Sequence, residues 1–202
     1  MLPVSGLPVA GLLMGLGSQS FRGVPVVVTK VMSCAGGTIL GNLPLLFAMG
    51  VALGLAEYEG VAAVAAAVGY VVMLASLGAL AAANGHQLKP VMGIDTLETG
   101  VFGGILVGVV AAGVYRRFYR LKLPPYLGFF AGKRSVPMLT GVACLALGAG
   151  LSALWPSAQG MIERAADRVA NDHPAVSAGV WALVNRALIP FGLHHIWNNP
   201  FF

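Results

Sequence analysis

Charge is scarce in this sequence. Its 202 residues include 12 Lys and Arg and 7 Asp and Glu, 9% of the chain, where soluble domains carry about 25%. That shortage excludes an ordinary water-solvated surface. Cysteine is scarcer still: Cys34 and Cys144 stand alone, which excludes a dense disulfide framework and leaves no ligand set for a metal. Both thiols are expected to be small apolar core residues. No basic n-region precedes the first apolar run, so "MLPVSGLPVAGLLMGLGS" is expected to be a retained helix rather than a cleaved leader. Internal repeats, low-complexity tracts and soluble linkers are all lacking, and residues 1–202 read as one membrane domain. A Ser nucleophile elbow, a phosphate loop and a metal-ligand cluster are lacking too, so no metal or cofactor is implied.

What is present is apolar. Hydrophobic residues make up 57% of the chain, with 28 Gly and a mean hydropathy of +0.83. A spanning helix needs about 20 mostly apolar residues, and six stretches qualify or nearly so: 3–18, 39–56, 60–82, 99–115, 135–155 and 175–193. Backbone groups in lipid must pair within the segment, and these runs are too long and too uniformly apolar for barrel strands. The expected fold is therefore all-α: a polytopic membrane helical bundle of about six spans plus interfacial amphipathic segments. The lipid bilayer is its first partner.

Orientation follows from "YRRFYRLKLPPYLGFFAGKR", residues 115–134. It holds Arg116, Arg117, Arg120, Lys122, Lys133 and Arg134 without an acid, and such loops stay in the cytoplasm. Counting outward gives a cytoplasmic N-terminus, with loops 19–38, 83–98 and 156–174 outside. The interleaved Tyr119, Tyr126, Phe129 and Phe130 suit an interfacial segment, so the net charge of +5 implies no nucleic acid. Pro124 and Pro125 break any helix running through the loop. Glu57 and Glu59 are expected to be solvated in a short turn, and Asp95 with Glu98 to cap the fourth span. Gly100, Gly104, Gly108 and Ala112 line one face of that span, and Gly50 with Gly54 do so in the second. Such stripes serve packing within the bundle, with a dimer as the further possibility.

A charge within a span is costly and defaults to a functional hypothesis. Arg186 lies inside "VWALVNRALIPFGLHH" with Asn185 beside it and no acid in the helix. Pro190 and Gly192 interrupt the segment before His194 and His195, and broken helices are where transporters place polar-solute sites. Arg, His and Asn supply the donors and acceptors that sugar hydroxyls need, and Trp197 could stack on a sugar face. The bland alternatives stay open: a buried ion pair or snorkelling for Arg186, and helix-end capping for the histidines.

Several phrases carry a family likeness. "LPVSGLPVAGLLMGLGS", "GNLPLLFAMGVALGLA", "GVAAVAAAVGYVVM", "TGVFGGI", "RRFYRLKLPPYLGFFAGKRSVPM" and "RALIPFGLHHIWN" occur in order along nearly the whole chain. Together they resemble the membrane-spanning IIC domain of phosphotransferase-system sugar permeases, in the glucose and N-acetylglucosamine group. The resemblance implies a multi-pass protein of the bacterial inner membrane. It would carry glucose or N-acetylglucosamine inward while a separate IIB domain phosphorylates the sugar, and would work as a homodimer. It further implies Arg186, His194, His195 and Asn198 as sugar-binding residues, and Lys133 and Arg134 in "GKR" on the IIB-facing loop. Ser135 stands where the family usually has an aromatic, which would loosen that loop.

The family's Thr-Glu-Pro segment and the IIB cysteine motif do not occur here. On this likeness residues 1–155 are scaffold and dimerising helices and residues 156–202 begin the transport part. The chain alone would then be inactive, and it carries no phosphorylatable cysteine motif. Two other function classes stand beside the permease: a standalone membrane scaffold or regulatory half-protein that pairs with full-length permeases, and an enzyme or channel acting directly through His194, His195 and Arg186.

Overall fold

The computed structural model describes residues 7–18, 25–121, 126 and 131–172, together with 179, 182, 183 and 186. Six α-helices make up most of it: α1 (Leu7–Gly17), α2 (Val26–Gly41), α3 (Leu43–Leu55), α4 (Gly60–Ala83), α5 (Gly100–Phe118) and α6 (Ser135–Asp172). A hairpin of β1 (Lys89–Val91) and β2 (Ile94–Thr96) joins α4 to α5, and a 3-10 turn, Gly132–Arg134, leads into α6.

Apolar sequence is spent in two directions. One face of α4 is buried from end to end: Ala62, Ala65, Ala66, Tyr70, Met73, Leu74, Leu77 and Ala81. This face packs most extensively against α6, and also against α3 and α5. The opposite faces remain apolar although exposed: Val64, Val68 and Val71 on α4, Val109 on α5, and Met138, Val142, Leu145 and Leu154 on α6. A solvent-facing helix would carry polar residues there. These faces suit hydrocarbon, and this is a membrane protein.

The small-residue stripe of α5 does what its spacing implies. A Cβ at Gly108 would meet the Ala48 carbonyl oxygen at 2.6 Å, and one at Gly104 would collide with the backbone of Pro44. The two backbones therefore approach to a distance that only glycine permits. On the partner helix the small buried residues are Ala48 and Ala52, not Gly54. Both alanines are fully buried, whereas Gly54 faces open space.

The span count is met in part among the described residues, and the expectations for two loops and for Cys34 are corrected. Among the described residues three helical stretches are long and apolar enough to cross a membrane: Gly60–Ala83, Gly100–Phe118 and Gly132–Met161. A fourth results if α2 and α3, bent by 50° at Asn42, count as one broken span. The 19–38 loop is thus largely helix, since Val26–Gly41 forms α2. Pro44 explains the break: it suits the first turn of α3 but cannot continue α2, because it lacks the N–H the ladder requires. The proposed first span is represented by α1, only 11 residues long. The proposed 156–174 loop is helix as far as Asp172, because α6 runs through Pro156 without ending. The sixth segment, 175–193, lies almost wholly outside the described residues. Cys144 is buried as expected, but Cys34 is exposed on α2.

Candidate functional site

Two ends of the bundle carry its polar chemistry. At one, the α3–α4 turn, the end of α5 and the start of α6 come together. Glu57 and Tyr58 turn the chain with φ of 54° and 63°, left-handed values that cost non-glycine residues roughly 1–3 kcal/mol each. The turn is held by backbone bonds from Tyr58 N–H to Leu53 (2.8 Å) and from Glu59 N–H to Ala56 (3.1 Å). Its consequence is the position of Glu59. That residue is the N-cap of α4, yet its side chain makes no cap bond. It accepts a hydrogen bond from Lys133 Nζ at 2.7 Å instead.

Lys133 is positioned by the 3-10 turn. Gly132, at φ 68°, lets the chain reverse, and its N–H donates to the Leu121 carbonyl at 2.9 Å. Ser135 is buried and donates its hydroxyl to the Gly132 carbonyl at 2.7 Å. The serine therefore ties the turn rather than loosening it. The Lys133 ammonium, with Tyr115 as a further hydrogen-bonding neighbour, holds the Glu59 carboxyl below its ordinary value of 4.5. Beside this pair Tyr115 stacks on Tyr119 at 5.5 Å, and the Arg120 guanidinium lies 5.0 Å from the Tyr119 centroid. Arg116 and Arg117 complete the last turn of α5, where cations oppose the helix dipole favourably. Glu59 is therefore not simply solvated. Its ion pair went unforeseen, although an acid in a turn at the end that also carries the basic loop was the available signal.

At the opposite end the hairpin folds back on α4. Asp95 and Glu98 do not cap α5: Thr99 is its N-cap, without a side-chain cap bond, and Asp95 lies in β2. Glu98 instead accepts from Lys89 Nζ at 3.3 Å. Its backbone carbonyl accepts from Trp155 Nε1 at 3.1 Å, and Trp155 stacks on Phe102 at 6.0 Å. A cleft of about 470 Å³ lies between this hairpin and the Asn42 break.

Of the residues the sequence singles out, Lys133 is placed firmly at the basic end with Arg134 beside it in the same 3-10 turn. Arg186 is helical and exposed. His194, His195 and Asn198 lie outside the described residues, so the structure does not bring them together with Arg186. Among the described residues no group of three or more His, Cys, Asp or Glu could hold a metal ion.

A basic end joined through apolar helices to a polar opposite end is common to many membrane proteins. The decision comes from the chain as a whole. The family described as phosphotransferase system, EIIC, matches it over residues 1–202. The chain belongs to that family. As an EIIC protein it is a membrane component of a sugar permease of the phosphotransferase system, with a sugar as substrate and a IIB component as partner. The stretches that carry the likeness map onto specific elements: "GNLPLLFAMGVALGLA" is the α2–α3 break and α3, "TGVFGGI" is the N-terminus of α5, and "GKRSVPM" is the turn into α6.

Proposed function

We propose that this EIIC protein moves glucose or a closely related hexose, with N-acetylglucosamine the nearest alternative, inward across a bacterial inner membrane as a multi-pass homodimer. Transport is coupled to phosphorylation of the sugar by a separate IIB domain. The family match over residues 1–202 is the observation that carries this reading. The basic end then faces the cytoplasm, because Arg116, Arg117, Arg120, Lys133 and Arg134 gather there. The N-terminus lies on the same side. Lys133 and Arg134 meet the IIB domain, with Lys133 held in place by Glu59. Residues 1–155 form the scaffold and residues 156–202 open the transport part.

Arg186, His194, His195 and Asn198 contact the sugar. The support is chemical: an arginine, two imidazoles and an amide on an apolar segment offer both donors and acceptors to hydroxyls. Binding of radiolabelled glucose to the protein in proteoliposomes, with N-acetylglucosamine as competitor, tests this. Arg186→Ala and His194→Ala should each weaken binding at least tenfold without changing the melting temperature. Binding by both variants equal to the parent's would refute the site, and preference for a different class of sugar over both would refute the substrate class.

A further inference from the structure

Among the described residues, the cleft at the hairpin end is lined neither by those of the basic end nor by Arg186. Its floor includes Tyr70, 1% exposed, whose phenol makes no hydrogen bond among the described residues. Thr99 is 2% exposed, lines the same cleft, and has a hydroxyl without a partner there. Buried hydroxyls are normally satisfied, and leaving one unpaired costs roughly 1–3 kcal/mol. One buried hydroxyl without a partner, that of Thr99, and a phenol that makes no hydrogen bond among the described residues, that of Tyr70, line the same cleft and point to a ligand that accepts hydrogen bonds.

Charge narrows the choice. Lys89 and Glu98 form an ion pair at 3.3 Å and both line the cleft. An anionic ligand would meet the Glu98 carboxylate as well as the Lys89 ammonium, and a cation would meet the reverse. A zwitterion replaces the pair one charge for one. Asn42 spends its Nδ2 on the Thr38 carbonyl at 2.7 Å, leaving its amide oxygen as a second acceptor in the cleft lining. The donors Lys89, Tyr70 and Thr99 suit a phosphate; the acceptors Glu98 and Asn42 suit a primary ammonium.

Apolar lining separates a lipid from a soluble zwitterion. Met92 sits at the hairpin tip with φ 53°, next to Gly93 at φ 80°, in a two-residue turn that ordinarily selects Asn or Gly. Despite that backbone cost an apolar side chain stands there, 43% exposed and lining the cleft. It extends the polar floor into an apolar wall that an acyl chain could follow.

We propose that this cleft holds the headgroup of a phosphoethanolamine phospholipid. The phosphate is met by Lys89, Tyr70 and Thr99, the ammonium by Glu98 and Asn42, and an acyl chain runs past Met92. The site is independent of which sugar is transported.

Native mass spectrometry of the detergent-purified protein titrated with phosphatidylethanolamine, phosphatidylglycerol or phosphatidylcholine tests it. Phosphatidylethanolamine should bind at least fivefold more tightly than either of the others, and Lys89→Gln and Tyr70→Phe should each weaken it at least threefold. As a second readout on the unaltered chain, phosphatidylethanolamine should slow acetylation of the Lys89 amine, and glucose should not. Equal affinity for the three lipids, unchanged binding by both variants, or protection of Lys89 by glucose alone would overturn the proposal.

Discussion

Lys133 Nζ and Glu59 Oε1 lie 2.7 Å apart although 74 residues separate them in the chain. The bond fastens the turn between α3 and α4 to the turn that starts α6. Each partner is half exposed, so the pair adds little to global stability. Its effect is local: it fixes where the "GKR" ammonium points.

The pair should respond to acid. A carboxyl whose folded pKa is depressed contributes stability that is present above its unfolded pKa and lost as pH falls through the folded value. Hydrogen exchange at the Gly132 amide, bonded to Leu121, should therefore speed up as pH drops below the ordinary carboxylate range, after correction for intrinsic exchange. Glu59→Gln should show the faster rate at neutral pH and lose the acid dependence. An unchanged profile in that variant would assign the effect to another group.

The α3–α5 contact should be intolerant of a single methyl. In Gly108→Ala the new Cβ meets the Ala48 oxygen at 2.6 Å, and overpacking of this kind costs about 1–3 kcal/mol. Gly113→Ala, on the same helix with nothing within 4 Å, should be neutral or stabilising by up to about 1 kcal/mol from helix propensity. Thermal melting of both variants in one detergent measures the contrast.

Thr140 offers the reverse case. It is fully buried between α6 and α4 with an unpartnered hydroxyl. Thr140→Val keeps the shape and removes the orphaned oxygen, so it should stabilise the protein by about 1 kcal/mol. A loss of stability in the melt would mean that the hydroxyl has a partner, such as a buried water.

Trp155 ties α6 to the segment leading into α5. Trp155→Phe retains an aromatic against Phe102 and loses the bond to the Glu98 carbonyl, at a cost of about 0.5–1.5 kcal/mol. Trp155→Ala also loses the stacking and the burial, and should cost about 3–5 kcal/mol. Denaturant unfolding of the two variants separates the contributions.

Much of the fold is legible in sequence because lipid simplifies the code. Long apolar runs between polar turns are enough to locate α4, α5 and the first half of α6, and helical spacing identifies the α5 glycines as a packing face. What defeats the reading is polarity within helices and apolarity outside spans. The stretch 26–41 contains Thr29, Lys30, Ser33 and Thr38, so it reads as loop. It is helix nonetheless, and Thr29 and Thr38 donate their hydroxyls to carbonyls three and four residues back, at 2.9 and 2.8 Å. Residues 157–172 are polar enough to suggest an external loop, yet a helix already nucleated in α6 propagates through them cheaply.

The sequence by itself determined the class of molecule: too little charge for water, enough continuous apolar length for spans, a basic cluster that distinguishes one end, and phrases that carry the EIIC likeness. It also marked Lys133 and Arg186 as residues whose charge needs a reason. Only the tertiary structure decided the partners. Glu59 meets Lys133, Glu98 meets Lys89 and not the α5 backbone, and Tyr70 and Thr99 are left with unspent hydroxyls at one cleft. Such pairings depend on helices separated in sequence meeting at defined heights. Hydropathy constrains the length of each helix, but not its rotation or depth against a neighbour.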